Sequence, residues 1–583
     1  MDKPVFDQVK LAVSQNKWDE KKAHELGFVL IQDEEIPVDE GSLYESVVMG
    51  AGPSAFGFVK QLISSNQLTP NKDHPPVMVL EAADKIGIKS VYGGAFWPKD
   101  GVIFDDDPDY FDDCPHDRTV TKKSDHLYLV TPEGKKFKPP LEPATLFRNK
   151  TMGYITPKHI LYPYFWNKIE SKKEEGYFRI RTGQSCDKLI MNQEGSVVGV
   201  QTFTGQKYFA NVVIDATGCG ALFSRNLSVQ PLNNNHGDFF FGIKLICEMP
   251  NEKINQVFGL KNDKDGCVLE LSGNISKKIP ALPGIIGIYP GDGIVNVSVL
   301  YSPTFGMKSG LQPHEVMNEI LSSPHVKKVT GGSKPIEWSA CRLPELHFKY
   351  MPKLAYDGYI PLGDTLGLVD FLRKHGVNTG MKSGALAGEL ISKVIKNDEG
   401  YNESSLRRFE VMLKKSWVGK RLMSRSFQFI HKMINLPIAF KIMAKQAEFG
   451  KMISDVPEGL PAMSHSDYMA LNLEAEGQPD IIIKDSNLCQ SCVSEACLSS
   501  DPCQAFVIDK NGKPVLDVDP VARPEILNNQ INFSKFQLIN AEGCLECGNC
   551  ESACPFGNVI YIAPTQVKGK HGKKNKGIEY RYN

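Results

Sequence analysis

The chain has 583 residues, of which 41% are hydrophobic and 23% charged, and its formal net charge is −1. That length favours two to four domains, the composition is that of a globular protein with a sizeable core, and the charge balance argues against nucleic acid as the main partner. No apolar run reaches the roughly 18 residues needed to cross a bilayer. The N-terminus, MDKPVFDQVKLAVSQNKWDEKKAHEL, lacks the continuous apolar stretch of a signal peptide, so the chain is expected in the cytoplasm, touching a membrane at most from one side.

Residues 1–43 carry no recognisable chemistry and read as an N-terminal extension. ESVVMGAGPSAFGFVKQLI follows, with an apolar strand at Val47–Met49, a glycine turn and the opening of a helix. Gly50, Gly52 and Ala55 form G-x-G-x-x-A directly between strand and helix. Gly50 permits the tight turn, Gly52 lets a pyrophosphate approach the backbone, and Ala55 allows close helix–strand packing. The helix start would then offer its amides and dipole to the phosphates. VMVLEAADKIG is a second buried strand ending in Glu81, an acid placed to accept from ribose hydroxyls. The competing reading is a glycine turn that serves geometry alone.

Thr151–Lys172 reads as a strand or loop and then a helix, and ANVVIDATGCGALFSRNL as an apolar strand closing on small residues. From Gly237 to Tyr301 the pattern has period two, which predicts antiparallel strands in a second sheet. DGYIPLGDTLGLVDFLRKHGVNTGMKSGALAGELISKVI returns to strand, glycine-rich loop and helix. Helical character continues to about Glu448, and LNLEAEGQPD reads as a linker. The predicted division is an extension (1–43), a cofactor-binding domain in two parts (44–235 and 350–400), a mostly antiparallel substrate domain (236–349), a helical region with linker (401–475) and a cysteine-rich end (476–583).

VVIDATGCG (Val212–Gly220) and GYIPLGDTLGLVD (Gly358–Asp370) resemble the two downstream signatures of glutathione-reductase-type FAD proteins. Together with GAGPSAFGFVKQL, EAADKIGIKSVYGGAFWP, GVNTGMKSG (Gly376–Gly384) and KKSWVGKRL, they make residues 44–450 similar to the FixC family. That family includes electron-transfer-flavoprotein:quinone oxidoreductases and the related geranylgeranyl reductases. The resemblance implies an FAD-binding Rossmann domain with an antiparallel-sheet substrate domain. It also implies FAD contacts at Gly50, Gly52, Pro53, Ser54, Ala55, Glu81, Ala82 and Lys89. Further contacts would be Ala216, Thr217, Gly218, Gly363, Asp364, Gly376, Val377, Asn378 and Thr379. Asp364 would approach the ribitol or phosphate region, and the helix after Gly376 would stabilise negative charge on the flavin ring.

Six of the fourteen cysteines are scattered (Cys114, Cys186, Cys219, Cys247, Cys267, Cys341) and read as small buried residues. The other eight crowd together. Cys544-x2-Cys547-x2-Cys550-x3-Cys554-Pro555 is the bacterial-ferredoxin run for a [4Fe–4S] cluster. Cys489-x2-Cys492-x4-Cys497-x5-Cys503 can supply a second quartet, though its last gap is stretched and Asp-Pro precedes the cysteine. Structural zinc is the competing reading. PDIIIKDSNLCQSC, INAEGCLECGNCESACPFGNVIY and the closing GIEYRYN resemble FixX, the ferredoxin-like partner of FixC. With the usual exchange, one cluster would take Cys489, Cys492, Cys497 and Cys554, and the other Cys544, Cys547, Cys550 and Cys503. The fold class expected is therefore α/β plus α+β, with a C-terminal bacterial-ferredoxin-like domain.

Two functions compete. In the first, an electron-transfer flavoprotein or ferredoxin delivers electrons through two [4Fe–4S] clusters and FAD to a membrane quinone held beside the second sheet. In the second, the flavin saturates isoprenoid C=C bonds, as the resemblance of GIIGIYPGDGIVNVSV to geranylgeranyl reductases implies. A third reading is non-catalytic, a zinc interaction module on a degenerate flavin fold. SFQFIHKMINLPIAFKIMAK (Ser426–Lys445) suits either a membrane interface or a core-packing helix pair. KGKHGKKNKG (Lys568–Gly577) suits either an anionic partner or a solvated loop. No acid–base catalytic residue is named by the sequence.

Overall fold

The computed structural model describes residues 28–32, 35–36, 43–83, 85–87, 95–98, 101–112, 122–130, 136–137, 153–156, 158–202, 204–218, 239–271, 279, 284–301, 311–344, 354–370, 375–424, 458–464, 467–468, 471, 480–483 and 559–562. In chain order, β1 (Phe28–Leu30) and β2 (Leu43–Met49) lead into helix α1 (Pro53–Ser64), and β3 (Val77–Leu80) follows. Strands β4 (Ala95–Phe96), β5 (Lys122–Val130), β6 (Lys136–Phe137) and β7 (Gly153–Ile155) come next. After them stand helices α2 (Lys158–Asn167) and α3 (Glu170–Glu175), then β8 (Phe178–Arg181), β9 (Cys186–Met191), β10 (Val197–Thr202) and β11 (Lys207–Asp215). The second half begins with β12 (Phe239–Glu248), α4 (Asn251–Phe258), β13 (Asp265–Leu271), β14 (Gly284–Pro290) and β15 (Ile294–Tyr301). Helices α5 (Pro313–Leu321) and α6 (Pro324–Thr330), strands β16 (Lys334–Pro344) and β17 (Tyr359–Pro361), and a 3-10 turn at Gly363–Leu366 precede α7 (Val377–Lys396). Helices α8 (Glu403–Leu406), α9 (Arg408–Lys415) and α10 (Trp417–Leu422) follow, and β18 (Asp480–Ile483) and β19 (Val559–Ile562) stand apart near the C-terminus.

The first sheet has the order β1-β9-β10-β11-β2-β3-β8, with β17 beside β11. β2, β3, β8, β11 and β17 run parallel, while β9-β10-β11 is an antiparallel meander. β2 and β3 are central and covered on both faces. That explains their near-unbroken apolar runs, Val47–Met49 and Val77–Leu80, every one of which is buried. The extension contributes one element the sequence did not announce. β1 lies within residues 1–43 and joins the sheet edge in parallel with β9.

Helices α1 and α7 cross on one side of this sheet with their backbones in near contact. A Cβ added at Gly57 would fall 2.1 Å from the Met381 carbonyl, and one at Gly384 would fall 2.0 Å from the Ser54 carbonyl. Only glycine admits that approach. Beneath α1, Phe56 packs edge-on to Trp166 of α2 (5.7 Å between ring centroids), and Phe104, Phe111 and Phe165 complete the aromatic cluster.

The second sheet has the order β16-β12-β15-β14-β13-β5-β7-β4, with β6 on β5. The expected antiparallel pattern holds for β12 to β16. The sheet is mixed, however, because β13 pairs β5 in parallel. Four strands of residues 95–155, inside the stretch assigned from sequence to the cofactor domain, belong to this second sheet. Its one face is apolar (Ile243, Leu245, Val295, Val297, Val299) and is covered by α4, α5 and α6 through Ile254, Phe258, Val316, Ile320 and Val326. The region predicted as linker also packs there. Tyr468 is buried against Trp338, and the Trp338 backbone N–H donates to the Leu471 carbonyl.

Candidate functional site

The turn after β2 is built as the motif requires. Gly50 has φ +90°, and a Cβ there would lie 2.6 Å from the Ala216 carbonyl oxygen at the end of β11. Three contacts hold the turn. Gly50 N–H donates to Leu80 O at 2.7 Å, Ala51 N–H donates to the Glu81 carboxylate at 2.8 Å, and the Trp166 indole N–H donates to Ala51 O at 2.9 Å. Glu81 also accepts from Ala83 N–H at 2.9 Å, so it ties the turn to the end of β3. Gly52 is the N-cap of α1, with Pro53 at the first helical position. A Cβ on Gly52 would meet nothing within 4 Å. The space in front of the helix amides is open, and that is where an anion would sit.

The segment from 363 to 379, three hundred residues away in sequence, completes the same cradle. Ser54 in the first turn of α1 lies against Gly363, where a Cβ would fall 2.1 Å from its hydroxyl, and against Gly380 in the first turn of α7, at 2.8 Å. Two helix N-termini therefore converge on one place. Gly363 N–H donates to Ser383 Oγ (3.0 Å), which itself donates to Gly380 O (2.6 Å). The A-T-G turn is fastened to this segment. Gly218 N–H donates to Thr365 Oγ1 at 3.1 Å, and buried Asp215 accepts from the Thr217 hydroxyl (2.6 Å) and amide (3.0 Å) and the Tyr359 hydroxyl (2.5 Å). Burial pushes the Asp215 carboxyl up, and these three donors pull it back.

Asp364 is the group whose environment asks for a ligand. It is half-buried beside the N-cap of α7, and a Cβ at Gly376 would lie 3.8 Å from its Oδ1. Burial pushes its carboxyl up to about 6, with the Lys158 charge opposing. No hydrogen bond from the described residues holds it down. A carboxylate to which no described residue donates, at the mouth of an open cradle lined by amides, fits a dinucleotide: it can accept from hydroxyls while the amides donate to phosphates.

The remaining sequence-predicted residues serve the frame or the rim. Ala55 is buried under the turn and Ala82 packs against Ala83. Gly376 is the N-cap of α7 and Val377 its first residue. The Thr379 hydroxyl lies within hydrogen-bond distance of the carbonyls of Leu368 (2.5 Å) and His375 (2.7 Å) and donates to one of them at a time. Asn378 Nδ2 donates to the Trp97 carbonyl at 2.7 Å and so joins α7 to the second sheet. Lys89 and all eight clustered cysteines lie outside the described residues. Among the scattered ones, Cys186, Cys247 and Cys267 are buried, as expected.

Sequence reasoning missed the loop at 101–112. Asp105 pairs with the buried Lys382 of the Met-Lys-Ser-Gly segment at 2.8 Å. Asp106 lies 3.8 Å from buried Lys60, whose ammonium sits 4.1 Å from the Phe104 ring centroid. The S-W-V helix pins the same loop: Trp417 covers Gly101, and its indole N–H donates to Val102 O at 2.8 Å. The run FDDDPDYFDD was the available signal, but its partners are far off in sequence.

β18 and β19 pair antiparallel, with Ile483 opposite Val559. This sets the backbone six residues before Cys489 beside the backbone five residues after Cys554. Among the described residues, no helix is long and apolar enough to cross a membrane.

No family model matches the chain. It is similar to the protein FixC of Azorhizobium caulinodans, 25% identical over 382 residues, which cover 65% of this chain and 82% of that protein. A probable mitochondrial electron transfer flavoprotein-ubiquinone oxidoreductase of Schizosaccharomyces pombe is 23% identical over 562 residues, covering 89% of this chain and 83% of the relative. A match of that extent necessarily enters residues 476–583. Among solved structures, a geranylgeranyl bacteriochlorophyll reductase-like protein from Thermoplasma acidophilum superposes with a TM-score of 0.52 at 14% identity, over 71% of this chain and 94% of that one, and shares the fold. The chain is thus a homologue of the FixC proteins and of the electron transfer flavoprotein–quinone oxidoreductases.

Proposed function

We propose that the chain is an FAD-dependent oxidoreductase of electron transfer. It would accept electrons from an electron-transfer flavoprotein or ferredoxin, carry two [4Fe–4S] clusters on its cysteine-rich end, and reduce a membrane quinone. The observation that carries this reading is the convergence on one open cradle of two helix N-termini and the Asp364 carboxylate, to which no described residue donates. Bound there, FAD would supply the exchange between single electrons and a two-electron acceptor.

The chain's own residues have definable tasks. The amides after Gly52 and after Gly376 hold phosphate and ring charge. Asp364 accepts from hydroxyls. Glu81 and Trp166 keep the first turn closed, and Asn378 couples the cradle to the second sheet through Trp97. For the clusters, the support is the cysteine spacing together with the pairing of β18 with β19. That pairing joins the strand before the first quartet to the strand after the second, an arrangement compatible with an exchange of ligands between them.

A polyprenyl C=C reductase is the second reading. The hairpin between β14 and β15 favours it through the resemblance of GIIGIYPGDGIVNVSV to geranylgeranyl reductases; its Pro-Gly-Asp-Gly turn is anchored by Asn251, which accepts from Gly293 N–H (2.7 Å) and donates to Asp292 (2.5 Å). Anaerobically purified protein should show flavin bands and a broad shoulder near 400 nm (an order-of-magnitude expectation for Fe–S thiolate charge transfer), with EPR signals on reduction. The reduced protein should then turn over a soluble benzoquinone. Saturation of a polyprenyl lipid without quinone turnover would transfer the assignment to the second reading. In the same assays Cys547→Ala should remove the EPR signal of the cluster held by Cys544, Cys547, Cys550 and Cys503 and leave FAD bound, because the two sites lie in separate stretches of chain.

A further inference from the structure

The second sheet has two unlike faces. One is the apolar face beneath α4, α5 and α6. On the other, the register lines up Ser339, Lys244 and Ser298 across β16, β12 and β15, and the next row brings Glu337, Asn296 and Tyr289 behind them, with Ile246 of β12 between Glu337 and Asn296. The first row is half-exposed and the second buried. On β14 the first row continues with Gly287, opposite Ser298, and on β13 with Glu270, opposite Gly287.

These groups are only partly satisfied by one another. The Ser298 hydroxyl donates to Asn296 Oδ1 at 2.5 Å and stands 3.3 Å from the Tyr289 hydroxyl. Ser339 Oγ and one Glu337 oxygen are buried without a partner among the described residues. Six polar side chains on one face of a sheet, two with buried oxygens that lack a partner among the described residues, are unfavourable as mere packing.

This face is continuous with the flavin cradle. On β7, Gly153 and Ile155 point to one side, two residues apart. Ile155 packs with Ile246, Val268, Tyr289 and Ile294, the apolar neighbours of the polar rows. The space over Gly153 is filled by the Trp97 ring, where a Cβ would fall 2.4 Å from the indole. Trp97 in turn receives Asn378 and stands 6.2 Å, ring to ring, from His375 at the start of α7. The polar face of the sheet, opposite the one beneath α4, α5 and α6, therefore looks toward the cradle.

We propose that the row Lys244–Ser298–Ser339 is the subsite for the ring carbonyl oxygen of the electron acceptor, with Lys244 as the charged donor and Glu337 controlling its availability. The inference rests on the quinone reading and names the residues that receive the quinone. As a carboxylate, Glu337 competes for the Lys244 ammonium; protonated, it releases Lys244 to the ligand. Lys244 on β12 is the charged group that acts on Glu337, and Tyr289 on β14 is the other titratable one. β15 presents Asn296 and Ser298, neither of which titrates, and Glu248 lies one row further on, exposed to solvent. Burial pushes Glu337 up to about 7, so the switch falls in the physiological range.

The test uses oxidised holoprotein and 2,3-dimethoxy-5-methyl-1,4-benzoquinone, with no electron donor, in isothermal titration calorimetry. Lys244→Met should weaken binding about tenfold or more and Ser298→Ala several-fold, both with an unchanged flavin spectrum (order of magnitude for a lost charge-assisted and a lost neutral hydrogen bond). Wild-type affinity should fall as pH rises through 7, and Glu337→Gln should flatten that dependence. In turnover, Lys244→Met should raise KM for the quinone and leave kcat within about twofold. Wild-type-like binding and KM in both Lys244→Met and Ser298→Ala, in a wild type that reduces the quinone, would overturn the subsite alone. A wild type that binds no quinone would overturn the quinone reading and the subsite with it.

Discussion

Replacing Asp364 by Asn tests the cradle most directly. The carboxyl ordinarily titrates near 3.8 and is raised here to about 6, with burial outweighing the attraction of Lys158. If cofactor hydroxyls donate to it, they prefer the carboxylate, so FAD affinity should follow its ionisation. At pH 8 about 99% of a group with that pKa is ionised and at pH 5 about 10%, so wild-type affinity should drop roughly tenfold across that span. The sign is fixed by the direction of the shift: binding strengthens as pH rises through 6 and is flat above about 7. Asn keeps an acceptor but loses the charge, which lowers the contribution of each hydrogen bond by about 1 kcal/mol, or about fivefold in Kd at pH 8. Its pH profile should be flat. The assay is quenching of FAD fluorescence on titration into deflavinated protein, with circular dichroism confirming the fold at each pH. A wild-type Kd that does not move between pH 5 and pH 8, with the Asn variant equal to it, would refute the assignment of Asp364 to the cofactor.

Other perturbations read different parts of the argument. Gly384→Ala forces a methyl to within 2.0 Å of the Ser54 carbonyl and 2.7 Å of the Phe58 amide, both backbone atoms; it should cost about 3 kcal/mol of stability and weaken FAD binding, whereas Ala at Gly52, with nothing within 4 Å, should leave the melting temperature within about a degree. Asp105→Ala should lower the melting temperature more than Lys382→Met, because the first leaves a buried ammonium without its partner and the second removes the charge. Glu337 is raised from 4.5 to about 7 and is nearly inaccessible, so its contribution to stability is fully present below pH 4.5 and is lost as pH rises through 7. Relative to Glu337→Gln, the wild type should lose about 3 kcal/mol over that window, read as a growing gap in chemical denaturation midpoints between pH 5 and pH 8; a constant gap would contradict it.

The sequence was legible where the chemistry is local. G-x-G-x-x-A, the A-T-G turn and the G-D segment each report a backbone geometry that a few adjacent residues dictate, and the structure places all three around Gly50, Thr217 and Gly363. It was illegible where function depends on pairs of distant residues. Nothing in FDDDPDYFDD says that Asp105 will meet Lys382, and the two-residue β4 and the nine-residue β5 carry no signal for which sheet they join. The polar rows stand between these extremes. In KPIEWSACRLP, Glu337 and Ser339 alternate with Trp338 and Ala340, so the period-two pattern marks a strand with a polar face. Only the register shows that Lys244 and Ser298 extend that face across three strands.

The glycines of α1 and α7 explain why motifs three hundred residues apart act as one site. Helices separated by ordinary side chains pack about 8–10 Å apart, and at that spacing two N-termini cannot both direct amides at one pyrophosphate. Here Gly57, Gly384 and Gly388 replace side-chain layers with direct backbone contact, and an added Cβ at Gly388 would fall 2.6 Å from the Phe58 carbonyl. The cradle is therefore set by the absence of atoms along the whole crossing, not only by the residues that would touch the cofactor. The loop at 101–112 acts from the outside in the same sense. Lys60 on α1 and Lys382 on α7 are held by adjacent aspartates of one loop, so the two helices are clamped by a common counter-charge while Trp417 holds the loop down. Backbone contact at the crossing brings the two helix starts together, and the clamped lysines resist their parting. The open space before Gly52 and Gly376 follows from both.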